Sequence, residues 1–122
     1  MDTPKDLNEL IRGVRMRHPR VKAHFEDDLE WWNQGLELIR SGKLVAAENK
    51  FQKLMLSQPE HPDGYRGLAM VYEKTGRLAE ACILMDHAVS LTADFVAAGE
   101  ADVGILERMK EFQSLVHGKS AG

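Results

Sequence analysis

Seven positions in the middle of the chain recur after 34 residues with no insertion: Trp31, Gly35, Leu38, Gly42, Ala47, Phe51 and Pro59 are answered by Tyr65, Ala69, Tyr72, Gly76, Ala81, Met85 and Ala93. An internal period of this size marks stacked helical hairpins, each burying its apolar face against the next. It does not suit a catalytic domain built around one deep pocket. The feature constrains architecture and general role, and leaves the identity of any partner open.

The 122 residues are 43% hydrophobic and 29% charged, the balance of one folded domain or a short repeat array. A net charge of −3 argues against a surface built wholly for nucleic acid. Cys82 stands alone, so neither an internal disulfide nor a paired-cysteine zinc site is expected. The start, Met1-Asp2-Thr3-Pro4-Lys5-Asp6, is too charged for a secretory signal. No apolar run approaches the ~20 residues of a membrane span. The expected location is cytoplasmic.

Local signals predict an all-α chain. Leu7, Leu10, Ile11 and Val14 give one apolar face to a first helix over 3–17, with Thr3 as N-cap and His18-Pro19 as its end. Val21 and Phe25 begin either the next helix or a linker turn, and Asp27 with Glu30 resembles a capping box that starts a helix near Asp28. Helices are then expected over 28–40, 44–57, 63–74 and 78–91, broken at Ser41-Gly42, at Pro59 to Pro62 and at Thr75-Gly76. Short connections force neighbouring helices antiparallel. Asp94 can cap a last helix running to about Val116, with Val96, Val103, Leu106 and Met109 on its apolar side. The organisation read from these signals is an N-terminal amphipathic helix and linker (1–27), two repeats (28–61 and 62–95), a C-terminal capping helix (96–117) and a flexible tail (118–122).

The repeated residues resemble those of the tetratricopeptide repeat (TPR) family. The first unit supplies Trp31, Gly35, Ala47, Phe51 and Pro59 at the family spacing and departs at Gln34, Leu38 and Leu54. The second supplies Tyr65, Leu68, Ala69, Tyr72, Gly76, Ala81 and Ala88, and departs at Met85 and Ala93. The resemblance covers 68 of 122 residues and implies a TPR-like α-α superhelix of stacked antiparallel helical hairpins. Small residues (Gly35, Ala69, Ala47, Ala81) let helices approach, and Trp31, Tyr65, Phe51 and Met85 fill what remains. Cys82 reads as a small buried hydrophobe. Two repeats are few, so the outer helices are expected to complete the core. The N-terminal helix has three open roles: capping the other end, lying in the groove, or self-association.

The resemblance also implies a non-enzymatic module that binds an extended or helical partner segment on the concave face of its leading helices. Carried over by register, that face holds Leu29, Trp32, Asn33, Leu36, Ile39 and Arg40 from the first repeat, and Asp63, Arg66, Met70, Glu73 and Lys74 from the second. Glu100, Gly104 and Glu107 would extend it. Trp32 either anchors an apolar partner residue, with Leu36, Ile39 and Met70 beside it, or is covered by Val21, Phe25 or the N-terminal helix. The family's carboxylate clamp for chaperone C-termini is not matched: Asn33 is present, but Leu29, Gly67, Ala97 and Ala101 stand at the other clamp positions.

Arg12, Arg15, Arg17, Arg20 and Lys22 form a basic run beside the acidic Glu26, Asp27, Asp28 and Glu30. The abrupt sign change favours complementary charge between helices or subunits over nucleic acid or lipid, and no aromatics are interleaved. The five histidines are scattered with no metal-binding spacing, and no phosphate loop or nucleophile elbow occurs. No cofactor or metal is therefore expected. A protein or peptide partner is the leading expectation, with a small bacterial TPR chaperone that dimerises through its N-terminal helix as the alternative.

Overall fold

A computed structural model describes residues 3–23 and 29–122. It is all-α, with no strand among the described residues. The helices are α1 (Leu7–Arg17), α2 (Leu29–Arg40), α3 (Leu44–Ser57), α4 (Pro62–Lys74), α5 (Leu78–Ala97) and α6 (Val103–Ala121). From α2 onward each helix packs on the next, and α2 also touches α4 directly. The result is two layers, with leading helices α2, α4 and α6 on one side and α3 and α5 on the other.

The 34-residue period appears as repeated backbone geometry. After α2, the Lys43 N–H donates to the Leu38 carbonyl (2.9 Å) and the Gly42 N–H to that of Ile39 (3.0 Å); after α4, Arg77 donates to Tyr72 (2.8 Å) and Gly76 to Glu73 (3.3 Å). Gly42 and Gly76 take φ values of 74° and 79°, the left-handed region in which a Cβ is disfavoured. The turns thus aim α3 and α5 back along α2 and α4 in the same way.

Packing follows from residue size. Ala47 and Ala81 are wholly buried, as are Phe51 and Met85. Phe51 is clasped by two glycines: a Cβ at Gly35 would lie 2.3 Å, and one at Gly67 2.2 Å, from its ring. A Cβ at Gly64 would lie 2.4 Å from the Met55 backbone nitrogen, so α3 and α4 meet there main chain to main chain. Cys82 is buried as expected, and burial pushes its thiol pKa up.

Several boundaries differ from the sequence reading. Asp6, not Thr3, caps α1, its Oδ1 accepting from the Glu9 N–H at 2.9 Å. Asp27 of the expected Asp27–Glu30 capping box, the expected helix start at Asp28, and Phe25 lie outside the described residues. Asp94 does not start the last helix but sits inside α5, which runs 20 residues where α3 runs 14. The cause is Ala93: where the first repeat has Pro59, the second has nothing to stop it. The chain turns instead at Gly99, and Asp102 caps α6, accepting from the Gly104 N–H at 2.8 Å. The expected flexible tail over 118–122 is largely the last turn of α6.

Trp31 and Tyr65 are not equally enclosed. Tyr65 is 2% exposed, its hydroxyl donating to the Pro59 carbonyl at 2.6 Å and its ring meeting His87 edge-on at 4.6 Å between centroids. Trp31 is half-buried with the Lys50 ammonium over its ring at 5.3 Å. Tyr65 has a hairpin on either side, whereas Trp31 belongs to the first hairpin of the stack.

Burial lowers the His87 pKa. The unfolded chain, with an ordinary value of about 6.5, takes up the proton first as pH falls. Stability contributed by neutral His87 is therefore intact above about pH 6.5 and is lost as pH drops toward the lowered folded value. Urea melts at about pH 7.5 and about 5.5 should show a smaller loss on acidification for His87→Leu than for the parent chain.

Candidate functional site

The uncovered strip of α4 comprises the five residues singled out by register. Asp63, Arg66, Met70 and Glu73 are half-buried and Lys74 is exposed, while Gly64, Tyr65, Gly67, Leu68, Ala69, Val71 and Tyr72 are buried. On α2 the expected set divides. Trp32, Leu36 and Ile39 are half-buried and pack against the core; Leu29, Asn33 and Arg40 are exposed. Leu29 and Asn33 border a shallow depression with Glu30, Gln34 and Glu37, and Arg40 is paired with Glu37 at 3.1 Å. At about 100° per residue the six still share one arc of the helix, with Trp32, Leu36 and Ile39 on its half-buried side and Leu29, Asn33 and Arg40 on its exposed side. The part that meets α4 is Trp32, Leu36 and Ile39.

Trp32 holds the centre. Its ring packs against Phe51 at 5.7 Å between centroids, and the Arg66 guanidinium carbon lies 5.4 Å from its centroid. A tryptophan indole is the strongest aromatic partner for a cation, worth about 0.5–1 kcal/mol when exposed and more when desolvated. Of the two readings left open for Trp32, an anchor for a partner or a ring covered by Val21, Phe25 or the N-terminal helix, neither describes these contacts: Trp32 packs on Phe51 of α3 and lies beneath Arg66 of α4. The reason is Phe51, which reaches between Gly35 and Gly67 to the seam of α2 and α4.

On the far side, α6 borders α4 through residues the register did not single out. Lys119 pairs with Glu73 at 3.0 Å, and Arg108 acts electrostatically on Arg66. Glu100 instead lies in the turn after α5, its N–H donating to the Phe95 carbonyl, and Gly104 lies in the first turn of α6. The late start of α6 accounts for the substitution of one set by the other.

The first helix does not lie in the groove of the leading helices. It lies against α5 and reaches α3 through Arg17 and His18. Leu10 and Val14 are buried there, and a groove of about 730 Å³ runs beneath it, lined by Leu10, Arg12, Arg17, Gln52, Tyr72 and Arg77 among others. A polar network that periodicity did not reveal fills the contact. Gln52, 1% exposed, donates to Tyr72 Oη (3.3 Å) and Glu48 Oε2 (3.4 Å), and its Oε1 meets His18 Nε2 at 2.9 Å. Arg77 stacks on the Tyr72 ring at 3.9 Å, pairs with Glu48 at 2.8 Å and grips Glu80 through both Nε and Nη2. Burial works against the Arg77 charge, but the Glu80 hydrogen bonds, with Tyr72 and Glu48, raise its pKa overall. Burial likewise pushes the Tyr72 hydroxyl up to about 12. Part of the basic run is engaged inside the molecule: Arg17 pairs with Glu48 and donates to Asn49, and Arg15 donates to the carbonyls of His18 and Val21.

No helix among the described residues is long and apolar enough to cross a membrane. No family model matches the chain, and no curated protein or solved structure matches it either.

Proposed function

We propose that this chain is a two-repeat TPR-like interaction module that holds a segment of a partner protein against its leading helices. The single observation that carries the reading is the strip formed by Trp32, Leu36 and Ile39 of α2 with Arg66 and Met70 of α4. These are partly uncovered apolar and cationic groups on a frame of closely packed small residues. Rigid elements present them, which limits the entropy lost on binding. Trp, Met and Arg are the residue types that dominate interface energetics. A cytoplasmic adaptor without catalytic chemistry fits this arrangement.

Met70→Glu is the most direct test, because Met70 lies on the strip while the core residues around it keep their contacts. Panning a displayed library of random peptides against the full chain should enrich a binding family that Met70→Glu no longer retains. The variant's thermal melt should stay within a few degrees of the parent. Equal retention by both proteins would refute the reading. Trp32→Ala is a poorer probe, since its loss also uncovers Phe51.

A further inference from the structure

The basic run Arg12 to Lys22 and the acids of α2 do not neutralise each other within the chain. The first helix packs on α5, whereas α2 packs on α3 and α4. Among the described residues, Arg17 alone of the run meets a carboxylate, that of Glu48 on α3, and Arg15 donates to backbone carbonyls. Arg12, Arg20 and Lys22 are exposed and form no hydrogen bond or ion pair among the described residues. On α2, Glu30 accepts from Gln34 at 3.2 Å and Glu37 pairs with Arg40, so both acids are held only by their own helix. The two surfaces match in apolar content as well. Met16 is 80% exposed, the most exposed large hydrophobic residue described, and Leu29 is 54% exposed. Arg12, Gly13 and Met16 form an outward ridge on α1, and a Cβ at Gly13 would meet nothing within 4 Å, so a second helix can come close there. Leu29, Glu30, Asn33, Gln34 and Glu37 line the shallow depression on α2, and no cation shares its wall. Arg12 lies about 6 Å along its helix from Met16, and Asn33 lies about 5–6 Å from both Glu30 and Glu37. With Met16 seated at the level of Asn33, Arg12 therefore comes beside one of these two acids in either helix direction.

We propose that copies of this chain associate by laying the Arg12–Met16 ridge of α1 in the Leu29–Glu37 depression on α2 of a second copy. The contact uses the exposed side of α2 and leaves Trp32, Leu36, Ile39, Arg66 and Met70 aside, so it stands or falls independently of the interaction strip. It is heterologous, a ridge on one copy meeting a depression on the other. A second copy suits the ridge better than a polyanion does. Asp6 and Glu9 are exposed close by and would repel a phosphate backbone, and Met16 gains only from an apolar neighbour such as Leu29. A helix-on-helix contact of two turns lies at the small end of protein interfaces, so the association is weak, concentration-dependent and screened by salt.

The test is sedimentation equilibrium of the full chain up to about 1 mM, in about 20 mM and about 300 mM salt, which shorten the screening length from roughly 20 Å to roughly 6 Å. The expected result is an average mass that rises with concentration, more steeply in low salt. R12E and M16E should each raise the dissociation constant roughly tenfold, and K110E, which changes the net charge equally on an exposed site of α6, should leave it within about twofold. Arg12 and Met16 are exposed, so neither variant threatens the fold. Because each copy carries both surfaces, R12E combined with E30R or with E37R in one chain should recover the association that R12E loses. A chain monomeric at about 1 mM in low salt, an association that R12E and M16E leave intact, or no recovery in either double variant would overturn the proposal. Association lost in M70E but kept in R12E would move the contact to the strip. Binding of poly(U) that R12E abolishes, by a chain monomeric on its own, would give the ridge to a polyanion instead.

Discussion

Phe51→Ala should lower the unfolding free energy by about 3–5 kcal/mol, the usual cost of emptying a large aromatic site. The expected value is toward the upper end, because the ring is wholly buried and its neighbours have little means of closing the void. Gly35 and Gly67 have no side chains to extend into it, and the α3–α4 contact at Gly64 already holds the backbones together. Trp32 would lose its packing partner as well, so the Arg66 stack should loosen with the core. Urea denaturation with tryptophan fluorescence reads both effects. A loss under about 1 kcal/mol would mean that the two glycines do not clasp this ring.

Gly64→Ala carries the second large expected effect, a loss of about 2–3 kcal/mol despite alanine's better helix propensity. The added methyl would meet the Met55 amide at 2.4 Å, and a backbone cannot rotate aside as a side chain can. The α3–α4 pair would have to separate, disturbing the junction between the two hairpins. Gly13→Ala is the internal control. It also lies within a helix, but nothing comes within 4 Å of its added Cβ, so it should stabilise by up to about 1 kcal/mol. Opposite signs for the same substitution would isolate the close approach as the cause; equal signs would count against it.

The parts of the architecture that were legible in the sequence are those decided locally. Gly42 and Gly76 mark their turns because few other residues accept the required φ, and small residues at Gly35, Ala47 and Ala81 announce close helix contacts. The α4 strip was legible for the same reason: once its buried face is assigned, the remaining arc follows from helical geometry. The start of α6 was not, because Asp94 and Asp102 are equally plausible caps and only the helix's continuation through Ala93 decides between them. The roles of Trp31 and Trp32 also stayed hidden, since both are large aromatics on one helix and the choice rests with Phe51, about twenty residues later. Gln52 gave no signal at all: a neutral polar residue on a helix carries no periodic mark, and its burial depends on His18, Glu48 and Tyr72 arriving from three different helices or turns.

The position of α1 has a mechanical consequence. A two-rung ladder joined only through α3 and α4 could peel apart one rung at a time. Here a separate strut crosses the back of both rungs, fastened by Leu10 and Val14 and by polar links from Arg17 and His18. Load applied at one end is shared with the other, and fraying of that strut slackens both rungs together.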